Sequence, residues 1–227
     1  MEEKVEVVRA SEEDEILDIE LEENLLRRNE ELAEENRRLL DEHGVLCIDV
    51  MGAIGSGKTA LLEALATRLR GKYRMAVIAG DVTTTVDADR MRRHGVKSIQ
   101  VNTGRECHLD ANLVRKALEK LNLDEIDILF IENVGNLICP ADFPLGAHKR
   151  LVVVSVTEGE YMIIKHPMIF SAADVIVINK VDLADAMGVN PDKLVEDARR
   201  VNPKARVLKV SVKTGEGVEK VLEALDL

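Results

Sequence analysis

A chain of 227 residues with 46% apolar content can build one sizeable core, but aromatics make up only 2% of it and tryptophan is absent. That core must therefore come from Val, Ile, Leu and Ala, the palette of buried parallel strands. With 31 basic residues against 42 acidic ones, the formal charge of −11 repels a phosphate backbone and speaks against nucleic acid as a partner. Three cysteines make no disulfide framework, the acidic start Met1-Glu2-Glu3 lacks the pattern of a secretory leader, and no apolar run is long enough to span a bilayer. A cytoplasmic setting without membrane contact is expected.

The first forty residues are strongly charged, yet Leu17, Leu21, Leu25, Leu32 and Leu39 recur at helical spacing, with Glu23 four residues before Arg27. This predicts an amphipathic helix over 12–41 whose leucine stripe packs against the rest of the chain. The preceding ten residues are expected to be disordered. From Gly44 onward, β-branched runs at 45–50, 75–79, 126–131, 151–155, 175–178 and 206–210 alternate with amphipathic stretches at 59–70, 109–120, 193–201 and 218–225. Such alternation predicts a three-layer α/β fold, a mostly parallel sheet covered by helices on both faces.

Directly after the 45–50 run stands Gly52-Ala53-Ile54-Gly55-Ser56-Gly57-Lys58-Thr59, the G-x-x-x-x-G-K-T pattern in its required setting between strand and helix. Glycines let backbone N–H groups turn inward around phosphate oxygens, and the helix N-terminus adds positive potential. Lys58 would reach the terminal phosphates and Thr59 would offer its hydroxyl to Mg²⁺. The division expected is an N-terminal segment, 1–43, and a P-loop domain, 44–227.

Asn179-Lys180-Val181-Asp182 follows the 175–178 run, at the edge where an open α/β sheet meets its ligand. It matches the N-K-x-D guanine-recognition pattern. A carboxylate at Asp182 can accept from both N1–H and the exocyclic amine of guanine, a donor pair that adenine lacks, so a pocket built this way rejects ATP. The Lys180 stem can lie along the base and Asn179 can tie this loop to the glycine loop. Ser211-Val212-Lys213 resembles the loop whose backbone N–H meets the guanine oxygen, although Ser-x-Lys is common in loops.

Asp81 and Glu132 close the 75–79 and 126–131 runs and are expected, with Thr59, to hold Mg²⁺ directly or through water. Asp87 fits either that role or a helix N-terminal charge. Hydrolysis would then rest on Lys58, Thr59, Asp81 and Glu132 neutralising charge while a water attacks in line. No glutamine or arginine announces itself as a water-orienting or finger residue. Slow turnover, raised when a second subunit or partner completes the site, follows.

Cys107-His108 precedes the 109–120 stretch, and Cys139 lies in Leu137-Ile138-Cys139-Pro140. The fold can bring both loops to one sheet edge, where thiolate and imidazole donors suit Ni²⁺ or Zn²⁺ and a helix N-terminus would favour the thiolate. Three donors leave a tetrahedral ion one short, which a water or a second copy of the chain would supply. Two cysteines and a histidine also serve as ordinary packing residues, and the residues alone leave both readings open. Cys47, inside an apolar strand, is expected in the core, and His43, His94, His148 and His166 are assigned no site.

These segments, together with Gly80-Asp81, Thr103-Gly104-Arg105-Glu106-Cys107-His108-Leu109-Asp110 and 131–140, closely resemble the HypB family of hydrogenase-maturation GTPases, of the SIMIBI class. The resemblance spans nearly all of 44–217. It implies a GTP-dependent homodimer that binds nickel or zinc through Cys107, His108 and Cys139. It also implies delivery of nickel to a [NiFe]-hydrogenase large-subunit precursor with a partner metallochaperone. Two departures stand out: residues 1–41 hold neither the cysteine cluster nor the histidine-rich stretch of some members, and Ala53 and Ile54 do not supply the early P-loop lysine that crosses a dimer in related GTPases.

Other readings remain. The urease accessory GTPase carries Cys-Pro-His, whereas Ala141 follows Cys139-Pro140 here. A cobalamin-enzyme chaperone GTPase explains the nucleotide motifs but not the thiols, a non-hydrolysing GTP-dependent metal sensor would show no phosphate release, and an ATP-dependent kinase is opposed by Asp182. A nucleotide-driven shift of the loop after Glu132 would move Cys139 and make metal affinity depend on GTP, and the reverse by linkage.

Overall fold

The computed structural model describes residues 12–81, 86–104 and 106–227, with 12–22 and 86 described by backbone only. The disorder expected for the first ten residues falls outside that range, as does Arg105. In chain order the elements are α1 (Glu12–Glu42), β1 (Leu46–Gly52), α2 (Lys58–Leu69), β2 (Met75–Asp81), α3 (Val86–Arg93), β3 (Lys97–Asn102), α4 (Ala111–Leu118), β4 (Ile128–Glu132) and β5 (Lys149–Ser155). They continue with α5 (Met162–Lys165), α6 (Pro167–Ser171), β6 (Val175–Asn179), α7 (Ala184–Met187), α8 (Pro191–Val201), β7 (Arg206–Lys209) and α9 (Val218–Ala224).

The strands form one sheet in the order β3-β2-β4-β1-β5-β6-β7, and every pairing is parallel. Burial on both faces explains the runs of Val and Ile without polar alternation. One face, with Val50, Val77, Phe130, Val153 and Val177, is covered by Leu61, Leu62, Leu65 of α2 and Val218 and Val221 of α9. The opposite face divides into two clusters. Cys47, Ile78, Leu129 and Ile131 pack with Leu40 of α1 and Val114 of α4. Val152, Val154, Ile176 and Ile178 pack with Ile163, Phe170, Leu194 and Ala198 from α5, α6 and α8.

Three sequence expectations change. Helix α1 is present, but its buried face is Asn29, Ala33, Asn36 and Leu40, while Leu25 is 64% exposed and Leu32 and Leu39 are only half-buried. The reason is what it packs against: the backbone of the 144–147 loop and the start of α4. Asn29 donates to Pro144 O at 2.8 Å and accepts from Ala111 N at 2.7 Å, and Asn36 donates to Ala111 O at 2.8 Å. Gly146 approaches so closely that a Cβ there would collide with Ala33 O. Amide side chains and small residues satisfy such a surface where leucines could not. The edge strand β3 and the short helix α3 have no counterpart among the expected elements, because each alternates or concentrates polar residues. Helix α4 begins at Ala111 rather than 109.

Candidate nucleotide and metal site

The glycine loop leaves the carboxyl end of the central strand β1 and runs into α2. A Cβ on Gly52 would collide with Val153 O of β5, and one on Gly57, at φ 102, with the Asn179 side-chain amide. Only glycine lets the loop pass between its two neighbours. Gly57 is the N-cap of α2, Ser56 is fully buried with its hydroxyl unpartnered, and Ala53, Ile54 and Gly55 form the outer rim. Lys58 is buried, with Nζ donating to Gly52 O at 3.0 Å and Ala53 O at 3.1 Å. Burial lowers its pKa, opposed by the carboxylates of Glu132, Asp87 and Glu158.

The base-side loops converge on this turn. Asn179 Nδ2 donates to Ser56 O at 2.9 Å while its Oδ1 accepts from Val212 N at 3.3 Å, so one side chain ties three loops. Lys180, in the left-handed region at φ 59, donates to Gly55 O at 2.6 Å. Asp182 is exposed and accepts from Ser211 Oγ at 2.6 Å through one oxygen, and Lys213 is exposed. The tie that the sequence reading expected of Asn179 is present.

Thr59, Asp81, Asp87 and Glu132 line one cavity of ≈ 350 Å³ with Lys58 and Arg90. The Thr59 hydroxyl lies 2.6 Å from Glu132 Oε1 and 3.0 Å from Asp87 Oδ1. One hydroxyl proton cannot serve two carboxylates, and Glu132 Oε2 is buried without a partner. Burial, set against the hydrogen bond from Thr59, pushes the Glu132 carboxyl up to about 7. A divalent cation fits this oxygen set, which is short of positive charge and has an unfilled acceptor. Asp87 stands in the first turn of α3 and lies 3.0 Å from the Thr59 hydroxyl, lining the same cavity.

On the neighbouring edge, the ligand atoms of Cys107, His108 and Cys139 all lie within 4.8 Å of one another. The two sulfurs are 3.0 Å apart, and the His108 ring stacks on Phe143 with centroids 3.9 Å apart. Burial lowers the pKa of His108, which favours the neutral, ligating imidazole. The hydrogen bond shared with Cys107, and then burial, raise that of Cys139. The helix N-terminus expected to favour Cys107 serves another residue: Asp110 caps α4 by accepting from Leu113 N at 2.7 Å. Among the described residues this is the cluster of thiol and imidazole donors close enough together to share one ion. Cys47 is fully buried, and His148 accepts from Cys47 N and contacts Asp41, a structural role.

The nucleotide-binding domain of the CobW/HypB/UreG family matches residues 46–209. The probable hydrogenase maturation factor HypB of Methanocaldococcus jannaschii is 60% identical over 203 residues, 89% of this chain and 92% of that one. The chain belongs to the HypB family. Among solved structures of HypB, that from Archaeoglobus fulgidus has a TM-score of 0.83 at 46% identity, over 88% of this chain and 98% of that one. HypB from Helicobacter pylori in complex with nickel has a TM-score of 0.82 at 34% identity, over 88% and 95%. No described helix is long and apolar enough to cross a membrane.

This HypB-family site also contains residues that the sequence reading passed over. Thr157 and Glu158 follow β5 at the same sheet edge: Thr157 Oγ1 accepts from Lys180 Nζ at 3.3 Å, and burial pushes Glu158 up to about 7. Their place one step past a strand end was the available signal. Arg90 is held by a two-pronged ion pair with Glu63, at 3.0 and 2.6 Å, and lines the cavity beside Thr59 and Glu132. Nothing in its highly charged helix distinguishes it. Asn133 and Asn136 stand inside the 131–140 stretch that carries the family resemblance, but as single polar residues neither shows a role of its own in the sequence.

Proposed function

We propose that this chain binds GTP with Mg²⁺, hydrolyses it slowly until a second copy completes the site, and uses the cycle to control a nickel ion held for a [NiFe]-hydrogenase precursor. A partner metallochaperone would supply or accept that ion. The observation that carries the reading is the shared segment: Glu132, in the cation cavity, and Cys139, in the thiol pair, are the two ends of one short stretch of chain.

Phosphates would displace the Gly52 and Ala53 carbonyls as partners of the Lys58 ammonium, since a charged acceptor makes the stronger hydrogen bond. Magnesium, when bound, neutralises developing phosphoryl charge. Thr59, Asp81, Glu132 and Asp87 are the residues that would hold it, and the Glu132 carboxyl must give up its proton to do so. The exposed Asp182, with Ser211 holding one of its oxygens, would read guanine, and the Val212 and Lys213 backbone would face the base. Gly52 through Gly57 would wrap the phosphates.

At the metal, Cys107, His108 and Cys139 would provide two sulfurs and one nitrogen, with the remaining position filled by water or by a second copy. The same donors accept zinc. Nickel and zinc affinities, measured by competition with a coloured chelator for GDP-loaded and GTP-analogue-loaded protein, test the reading. Cys107→Ala should weaken nickel binding by about 10-fold or more, the scale of a lost ligand shell member. Equal nickel affinity in Cys107→Ala and native protein would refute the assignment. Single-turnover phosphate release with and without dimer separates the GTPase from a non-hydrolysing sensor.

A further inference from the structure

Between the cation cavity and the thiol pair, the chain passes residues 133–136, and this stretch touches the glycine loop twice. Asn136 forms an isolated antiparallel bridge with Gly52, the first glycine of the loop. Gly135 lies under Ile54 so closely that a Cβ there would collide with the Ile54 side chain. The Asn136 side chain then turns the other way. Its Nδ2 donates to Cys107 O at 3.3 Å and its Oδ1 accepts from Ile138 N at 3.0 Å, next to Cys139 in the chain.

We infer that Asn136 is a positioning residue that holds both thiol-bearing loops in register with the glycine loop and so carries the nucleotide state to the metal. The proposal rests on the nickel-binding reading above. The chemistry calls for an amide. A carboxylate of the same shape keeps the acceptor for Ile138 N but has no donor for Cys107 O, and places negative charge near the two sulfurs. An amide that pins the backbone on both sides of two ligating sulfurs sets their orientation, the outer-shell control that metal sites commonly show. Because the Asn136 backbone is paired with Gly52, a shift of the glycine loop when the terminal phosphate arrives or leaves is delivered to both cysteines through one residue.

The test uses the full-length native protein, Asn136→Asp, Asn136→Ala and, as a control, Thr103→Ala, which loses the hydroxyl that braces Glu106 O at 2.6 Å but not the link to the glycine loop. Nickel affinity is measured with GDP and with a GTP analogue plus Mg²⁺, alongside the sulfur-to-nickel charge-transfer spectrum and GDP affinity. In both Asn136 variants the ratio of the two nickel affinities should fall toward one and the charge-transfer band should move, while GDP affinity stays within about 3-fold of native, as expected where no nucleotide contact is lost. Thr103→Ala should weaken nickel in both nucleotide states by the same factor, with the native ratio kept. Asn136→Asp preserves side-chain volume and remains informative where Asn136→Ala fails to fold. An Asn136 variant that retains the native ratio overturns the inference even if nickel binding weakens overall. Native protein with equal nickel affinities in both states ends the coupling reading and this inference together, and native protein that binds no nickel ends the function proposed above.

Discussion

Asp182 illustrates how a single exposed carboxylate can decide a ligand. Ser211 Oγ occupies one oxygen at 2.6 Å and leaves the carboxylate able to accept further hydrogen bonds. Two hydrogen bonds to a charged group, at about 1.5–3 kcal/mol each, set the expected cost of Asp182→Ala at roughly 100-fold or more in GDP affinity. Fluorescent-nucleotide titration measures this, and ATP affinity should be untouched; equal losses for both nucleotides would contradict the base-reading role. Asp49 presents the opposite situation, a carboxyl fully buried in the middle of β1 beneath α1. Burial pushes it up to about 7, against the opposing pull of Arg150 and the hydrogen bond from Asn133 at 3.3 Å. Its folded-state pKa exceeds its unfolded value near 3.8, so its contribution to stability is complete below that value and is lost as pH rises through about 7. The native protein should therefore lose stability between pH 5 and 8 relative to Asp49→Asn, with a slope approaching about 1.4 kcal/mol per pH unit from this group. Denaturant melts across that range check it, and parallel pH profiles for the two proteins would contradict the assignment.

At the scale of elements, helix α1 separates pattern from packing. Its leucines repeat at helical spacing, and the helix exists; the face it buries is the neighbouring one, with Leu40 fully buried and Leu25 largely exposed. Leu40→Ala should cost about 2–5 kcal/mol, while Leu25→Ala should stay within about 0.5 kcal/mol of native, as measured by urea unfolding. The reverse ranking would mean that the leucine stripe, not the asparagine face, is the packed one. The central strands were legible because burial on both faces demands unbroken apolar runs such as Leu151 to Val154. Edge strand β3 was not, because Ser98 and Gln100 interrupt it, and neither was α3, where the buried Ala88 and Met91 are a short apolar pair among aspartates and arginines.

The whole molecule leaves apolar side chains exposed around the site: Ile54 is 84% exposed on the glycine loop and Ile138 is 61% exposed beside Cys139. Exposed apolar groups flanking an incomplete ligand set suit a surface that another copy covers. A GTP analogue with Mg²⁺ and nickel should therefore double the mass seen by light scattering, whereas GDP should not. Ile138→Lys should suppress that change while nucleotide affinity persists. A native protein that stays monomeric under all of these conditions would rule out the dimer.

The sequence alone determined the α/β architecture, the glycine loop and the Asn179-Lys180-Val181-Asp182 turn, because each is a local pattern whose physics acts over a few residues; Cys107, His108 and Cys139 are candidates there, and only the fold brings their ligand atoms within 4.8 Å of one another. Tertiary structure decided the rest: which face of α1 is buried, that Asp87 and Glu132 share one hydroxyl, that Asp110 rather than Cys107 has the helix N-terminus, and that Asn136 pairs with Gly52 while donating to Cys107 O. Those facts depend on contacts between segments far apart in the chain. Only the folded backbone settles which polar group finds a partner and which does not.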